Sequence, residues 1–320
     1  PGRREGTRPP VSVLLRRTID HQWRQLMFIA GARRVLFCLG SALVFSGVVG
    51  CGPRPLSLQN KGSDTMLEVG QAWAEEYSDV SVEVSGGGSG TGIAALINGT
   101  VDIANASRQI KPKEAEAAKK STGKDPVEYI VGYDALAVYA HKDNPMAEIS
   151  LAQLKGIYGK DGTVEKWSQM DAEWDGCESD EIVRVSRQNN SGTYVYFREA
   201  VLGKEGEYRL GTLDQSGSRD VVELVSNTPC AIGYSGMGYK TDGVKFIKVK
   251  AEDGAPAVEP SVESVNDKSY PIARPLYMYT LGPADGAAKA YLDWIMSAAG
   301  QKILQDKGYV PLPKESWTSK

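Results

Sequence analysis

The feature that most constrains the fold is an alternation of short apolar runs with amphipathic stretches, repeated from about residue 56 onwards. Residues 57–62 and 80–85 have the pattern of strands, and residues 65–77 have the apolar spacing of a helix. Glycine-rich and hydroxyl-rich loops separate many of these segments. A strand-loop-helix rhythm of this kind predicts an α/β fold with largely parallel sheets. The polar stretch 251–269 is predicted to be a surface loop.

The charge balance excludes several functional classes. Residues 1–50 carry eight Arg and two acidic residues, whereas the rest of the chain carries 29 basic and 38 acidic residues. A chain this acidic is a poor nucleic-acid binder, because contacts to backbone phosphates need a basic face. His21 and His141 are the only histidines, so neither a histidine-based metal centre nor a Ser-His-Asp triad is expected. We expect no cofactor, no metal and no catalytic residue.

The N-terminal region has the features of an export signal. Two arginines at 33–34 precede an apolar run of about 14 residues, which is too short to cross a membrane comfortably. The run ends in Val48-Val49-Gly50-Cys51, which resembles a bacterial lipobox, and a polar, proline-containing stretch follows. We therefore expect Cys51 to carry a lipid at the head of a tether over 51–55. The alternative is an ordinary signal peptide that contains a cysteine by chance.

Three further expectations follow from an export signal. Met27 lies where a signal peptide would begin, so we expect it to be the true start and residues 1–50 to be absent from the mature protein. The mature protein would lie in the periplasm or on the cell surface. Cys177 and Cys230 would then meet an oxidising compartment and could form a disulfide, the alternative being two buried thiols.

Four loops each bring small hydroxyl residues to a predicted helix start or strand end. The unpaired N–H groups of a helix N-terminus, hydroxyl donors and a nearby arginine together favour an anion. Taken one at a time, each loop is better explained as a helix cap or a plain turn, but four such loops in one exported chain favour an anion site. The loops are Gly62-Ser63-Asp64-Thr65, Gly88-Ser89-Gly90-Thr91-Gly92, Ser107-Arg108, and Ser191-Gly192-Thr193 preceded by Arg187.

The usual catalytic templates are missing from the sequence. The glycine-rich loop 86–92 does not match the dinucleotide-binding fingerprint, and there is no G-x-x-x-x-G-K-[ST] phosphate loop. The chain also lacks G-x-S-x-G, C-x-x-C and H-E-x-x-H. These absences leave anion binding without chemistry as the better interpretation of the four loops.

In this order, the loops resemble those of the periplasmic phosphate-binding proteins of phosphate ABC importers, the PstS family. The resemblance extends from about residue 58 to residue 313, and the Arg-x-x-x-Ser-Gly-Thr spacing is its most specific part. Further markers are Ala106-Ser107-Arg108, Ala231-Ile232-Gly233-Tyr234, Tyr270-Pro271-Ile272-Ala273-Arg274-Pro275-Leu276-Tyr277 and Gly308-Tyr309-Val310-Pro311-Leu312.

The resemblance implies a two-lobed type II binding-protein fold with two crossover strands. Lobe one would comprise 56–136 plus 276–320 and lobe two 140–272, with crossings at 134–140 and 275–280. A monomer of this kind would capture inorganic phosphate between its lobes and deliver it to an ABC permease. Three alternatives stay open: another oxyanion (sulfate, molybdate or tungstate), an exported phosphatase, or a sensory or adhesive lipoprotein.

The resemblance also implies which residues contact phosphate. They are Thr65, Ser89, Ser107, Arg187, Ser191, Gly192 and Thr193, with Ser63, Asp64, Thr91 and Arg108 as neighbouring candidates. Some family members carry an Asp where this chain has Arg108, and that Asp accepts a hydrogen bond from protonated phosphate. An arginine cannot accept one. Asp64 is the candidate substitute, the alternative being that Asp64 only caps a helix.

Overall fold

The structure of the protein, a computed structural model, describes Gly2 and residues 57–318. The strands within these residues are β1 (Ser57–Gly62), β2 (Ser81–Ser85), β3 (Ile103–Ala106), β4 (Pro126–His141), β5 (Glu148–Ser150), β6 (Val183–Arg187), β7 (Leu213–Gln215), β8 (Ala231–Gly236), β9 (Val244–Lys250) and β10 (Ala273–Leu281). The α-helices are α1 (Leu67–Glu76), α2 (Ser89–Ile97), α3 (Pro112–Thr122), α4 (Leu151–Tyr158), α5 (Gly192–Phe197), α6 (Ser218–Ser226), α7 (Val262–Asn266), α8 (Gly286–Ile295) and α9 (Ala298–Asp306).

The long strand β4 belongs to two sheets. Its first part, from Pro126 to Ala135, pairs antiparallel with β10, which in turn pairs with β3. Its second part, from Leu136 to His141, pairs with β8 and β9. The path β2-β1-β3-β10-β4-β8-β6-β7 therefore runs from one sheet into the other through a single strand.

We use "lobe one" for the half of the molecule built on β1, β2 and β3, and "lobe two" for the half built on β5 to β9. Strands β1, β2 and β3 pair in parallel, as do β6, β7 and β8. Strands β4 and β10 lie between the halves and pair antiparallel. This is the predicted two-lobed α/β fold with two crossover strands.

Local signals explain some helix boundaries and failed to reveal others. The predicted cap of α4 is confirmed, since Ser150 Oγ accepts a hydrogen bond from Gln153 N at 3.1 Å. The prediction of an irregular loop over 251–269 is wrong at α7, whose cap is Ser261. A helix of five residues is too short to show an apolar period, so only its cap could have indicated it.

Lobe two contains a disulfide. Cys177 and Cys230 are bonded, with Cα atoms 5.0 Å apart. Trp167 packs nearby, and its indole N–H donates to the Cys230 carbonyl. The bond ties the irregular segment before β6 to the turn before β8. Within residues 57–318, no helix combines the length and the apolar character needed to cross a membrane.

Candidate functional site

Strand ends position the hydroxyl-bearing loops. In lobe one, Ser63 and Thr65 follow β1, Ser89 follows β2 as the first residue of α2, and Ser107 follows β3. These strands are parallel, so their carboxyl ends meet at one edge of the sheet. In lobe two, residues 191–193 follow β6 and begin α5. Each lobe thus presents a loop edge to the other.

The hydroxyl groups of these loops meet in the buried cleft. Ser63 Oγ donates to Ser107 Oγ at 3.0 Å, and the N–H of Ser107 donates to Ser89 Oγ at 3.1 Å. Thr65 Oγ1 of lobe one lies 2.9 Å from Thr193 Oγ1 of lobe two. All five side chains are buried. The structure therefore brings together hydroxyls that are far apart in sequence, with a direct contact between two that are 128 residues apart.

Gly192 brings the lobe-two backbone close to this cluster. A Cβ atom at Gly192 would lie 2.3 Å from Ser89 Oγ and 2.6 Å from Ser107 Oγ, closer than any side chain tolerates. The neighbouring Ser191 caps α5, with its Oγ accepting from the N–H of Thr193 at 3.1 Å. A glycine here lets the backbone reach the lobe-one hydroxyls.

Arg187 lies fully buried at the end of β6 and connects the two lobes. Its Nη1 donates to Ser218 Oγ at 2.9 Å, and its Nη2 donates to the Ser216 carbonyl at 2.8 Å and to Asp64 Oδ2 at 2.9 Å. The other Asp64 oxygen accepts from the N–H of Gly87 at 2.7 Å. Asp64 thus ties Arg187 to two lobe-one loops. The cap of its short helix is Ser63, which makes no side-chain capping bond.

Two of the predicted candidates have other partners. The Arg108 guanidinium forms a two-pronged ion pair with Glu114, at 2.7 and 2.8 Å, and also donates to the Gln109 carbonyl. Thr91 Oγ1 accepts from Asn190 Nδ2 at 3.2 Å, near the exposed rim of the cleft. Both residues border the hydroxyl cluster, but their polar groups hydrogen-bond to residues outside it.

Asn190 links the two lobes at the cleft rim. Its carbonyl accepts from the N–H of Gly90 at 2.9 Å, and its side-chain Nδ2 donates to the Gly87 carbonyl at 2.9 Å. Farther out, Arg219 forms an exposed ion pair with Glu68, also across the cleft. Together with the Thr65–Thr193 contact, these bonds define a closed arrangement of the lobes.

Comparisons with known proteins identify the family. A model of the "PBP superfamily domain" matches residues 53–299. The phosphate-binding protein PstS of Pseudomonas aeruginosa is 34% identical over 271 residues, covering 80% of this chain and 83% of that protein. The chain belongs to the PstS family.

Two further relatives cover similar shares. The protein SphX of Synechococcus elongatus is also 34% identical over 271 residues, or 81% of this chain and 78% of SphX. Among solved structures, a putative phosphate ABC transporter substrate-binding protein from Clostridium perfringens, with bound phosphate, superposes with a TM-score of 0.71. It is 31% identical, and the match covers 81% of this chain and all of the other.

The sequence-based set of site residues missed a buried ion pair beneath the hydroxyl cluster of this PstS-family chain. Arg274 on β10 donates to Asp134 on β4 at 2.8 and 3.1 Å. The same guanidinium reaches Thr65 Oγ1 at 3.3 Å and Thr193 Oγ1 at 3.1 Å. A charged residue at the start of the apolar run 134–140 was the signal that could have indicated this pair.

Paired charges surround the cluster. Arg187, Arg274 and Arg108 each face one carboxylate, so their formal charges cancel. Burial lowers the pKa of the Arg187 guanidinium and Asp64 opposes that change, yet an arginine stays charged at neutral pH. Burial raises the pKa of Asp134, while the nearby Arg274 favours its charged form. An anion at this cluster would meet donors and dipoles with little excess positive charge.

Among the residues that the structure describes, no group of three His, Cys, Asp or Glu side chains could hold a metal ion. The donor set of the cluster also does not suit a cation. Hydroxyl hydrogens, a backbone N–H and guanidinium groups are what an oxyanion requires.

The Arg108–Glu114 pair generates a prediction about stability and pH. Burial raises the pKa of Glu114, but hydrogen bonds from Arg108 and from the N–H of Lys111 outweigh it, so the pKa lies below its ordinary value. A carboxyl group whose pKa is lowered by folding stabilises the folded protein at pH values above its ordinary pKa. This stabilisation is lost as the pH falls through the pKa of the folded state. We expect Glu114→Gln to reduce the free energy of unfolding by about 1–3 kcal/mol at pH 7.

Urea denaturation at pH 7 and at pH 3 measures this effect. The difference in the free energy of unfolding between wild type and Glu114→Gln should be smaller at pH 3 than at pH 7. The control is Glu116→Gln, because Glu116 is exposed on the same helix and should change little at either pH. A gap of the same size at both pH values would contradict the role assigned to the ionised Glu114.

Proposed function

We propose that this protein is an extracytoplasmic solute-binding lipoprotein that captures inorganic phosphate between its lobes and delivers it to an ABC permease. The observation that carries the proposal is the meeting of hydroxyls from both lobes, next to Asp64 and its buried partner Arg187. Relatives named for phosphate binding, one of them solved with phosphate, support the choice of ligand.

The chemistry of the cluster favours a tetrahedral oxyanion. Serine and threonine hydroxyls, the backbone at Gly192 and a guanidinium supply donors from several directions, which suits an ion with oxygens on all sides. Arg187 also carries a buried donor, Nε, that has no hydrogen-bond partner among the described residues. A buried donor without a partner is costly, and an anion would satisfy it.

The contacts of the cluster favour binding over hydrolysis. A hydrolase needs a nucleophile beside a general base or a metal-bound water. Ser63, Ser89 and Ser107 hydrogen-bond with one another, and Thr65 and Thr193 contact Arg274, which can only donate. None of these five hydroxyls has a carboxylate or imidazole partner among the described residues.

Isothermal titration calorimetry with phosphate, and then with sulfate, tests the proposal. We expect tight phosphate binding and at least about hundredfold weaker sulfate binding, a difference of about 3 kcal/mol. In Gly192→Ala the added methyl group would push apart Ser89 and Ser107, so phosphate binding should weaken at least about tenfold. If sulfate, molybdate or tungstate bound more tightly than phosphate, the proposal that phosphate is the ligand would be wrong.

Asp64 generates a prediction about selectivity. Near neutral pH phosphate keeps a proton and sulfate does not, so a buried acceptor that needs a donor favours phosphate. Asp64 is partly buried beside Arg187 and can accept further hydrogen bonds. We expect Asp64→Asn to weaken phosphate binding about tenfold or more while the ratio of phosphate to sulfate affinity falls.

The ratio of phosphate to sulfate affinity distinguishes this role from a general loss of binding, because losing the ion pair with Arg187 would weaken the binding of both anions. Calorimetry with each anion, alongside the thermal midpoint of the variant, gives the ratio. An unchanged ratio would mean that Asp64 only holds Arg187 in place. The shape of the cleft or a backbone carbonyl would then have to distinguish protonated phosphate from sulfate.

The lipid anchor at Cys51 is proposed from sequence, since residue 51 lies outside the described residues. A small residue precedes Cys51 and a polar tether follows it. We expect Cys51→Ser to move the protein from the membrane fraction to the soluble fraction after cell fractionation. Cys177→Ser is the matched control, because Cys177 is committed to a disulfide and should not affect anchoring. Unchanged membrane association of Cys51→Ser would reject the anchor.

A further inference from the structure

Arg274 and Asp134 face each other where the two crossover strands meet. The two residues are paired in the antiparallel register of β10 and β4, and both side chains are buried. Arg274 Nε and Nη2 both donate to Asp134 Oδ2. The other carboxylate oxygen accepts from the N–H of Met237, just after β8 of lobe two. The ion pair is therefore fixed to the segments that join the lobes.

The same guanidinium reaches both sides of the cleft. Nη1 donates to the Ser107 carbonyl at 3.2 Å, which fixes the loop after β3 in lobe one. Nη2 lies 3.3 Å from Thr65 Oγ1 in lobe one and 3.1 Å from Thr193 Oγ1 in lobe two. The Tyr196 ring lies 5.5 Å from the guanidinium carbon and completes its enclosure.

The chemistry of these contacts sets the direction of the threonine hydroxyls. A guanidinium can only donate, and one N–H of Nη2 faces Asp134, so the two threonine oxygens turn lone pairs towards the second N–H and share it. Each hydroxyl has one hydrogen, and that hydrogen must then point away from the guanidinium. The two oxygens are 2.9 Å apart, so one hydrogen at most lies between them. One hydroxyl hydrogen is therefore free to point to an anion while the Thr65–Thr193 bond is made, and both are free when an anion replaces that bond.

We propose that Arg274 is a positioning residue, which orients the hydroxyls of Thr65 and Thr193 as donors to the bound anion and couples them to the crossover strands. This inference rests on the proposed function. Any opening that separates Thr193 from Thr65 must remove one threonine from the guanidinium. The same contacts of Arg274 thus stabilise the closed arrangement of the lobes and orient the hydroxyls of Thr65 and Thr193.

A double-mutant cycle on phosphate affinity tests this role. Arg274→Lys keeps a charge for Asp134 but loses the planar group whose Nη2 lies near both threonines. Thr65→Val with Thr193→Val removes both hydroxyls at nearly constant shape. We expect Arg274→Lys to weaken phosphate binding about tenfold in the wild-type background and less than about twofold in the double-valine background, because the effects share one set of contacts.

Thr280→Val is the matched control background. Thr280 is a buried threonine on the same strand, and its hydroxyl donates to the Gly282 carbonyl, away from Arg274. Arg274→Lys should keep its full effect of about tenfold there. Equal losses in the double-valine and wild-type backgrounds would overturn the proposal, since Arg274 would then act without the two hydroxyls.

A second variant guards against misfolding. If Arg274→Lys lowers the thermal midpoint so far that the protein is not folded, Arg274→Gln combined with Asp134→Asn replaces it, because that pair leaves no buried charge unpaired. The same cycle and outcomes apply. Wild-type protein that fails to bind phosphate would reject the proposed function, whereas wild-type binding with additive losses would reject only the role of Arg274.

Discussion

The hydrogen-bonded ion pair of Arg274 and Asp134 is the contact on which the rest of the site depends. It joins the two strands that connect the lobes, and its guanidinium also holds one threonine from each lobe. A buried arginine without its carboxylate would be strongly destabilising, so the two strands are held in one register. The strand pairing, the closed cleft and the donor directions thus all involve this ion pair.

Charge pairing explains how an acidic protein could hold an anion. The arginines at the cluster bring no net charge once Asp64, Asp134 and Glu114 are counted. Affinity must then come from oriented hydroxyls, backbone N–H groups and the Nε of Arg187, which has no partner among the described residues. Donors held rigidly by buried partners lose little entropy on binding, which is why a neutral site of this kind can be both tight and selective.

Local patterns predicted the α/β fold and the hydroxyl loops, whereas the two lobes were implied by the resemblance to the PstS family. The charge at Asp134 in an apolar run could indicate a buried ion pair. The register between distant strands has no local signal, so neither the choice of Arg274 as its partner nor the direction of the Arg108 side chain towards Glu114 could be foreseen. The helix at Val262–Asn266 escaped prediction because it is too short to show a period. Interactions between residues far apart in sequence mark the limit of prediction from one chain.

A crystal structure of the protein grown with phosphate tests the central claim most directly. The account predicts one phosphate between the lobes, with oxygens within about 3 Å of Ser89, Ser107, Thr65, Thr193 and Arg187, and with the Arg274–Asp134 pair intact beneath it. A phosphate bound elsewhere, or one bound between the lobes while Arg274 faces away from both threonines, would contradict it.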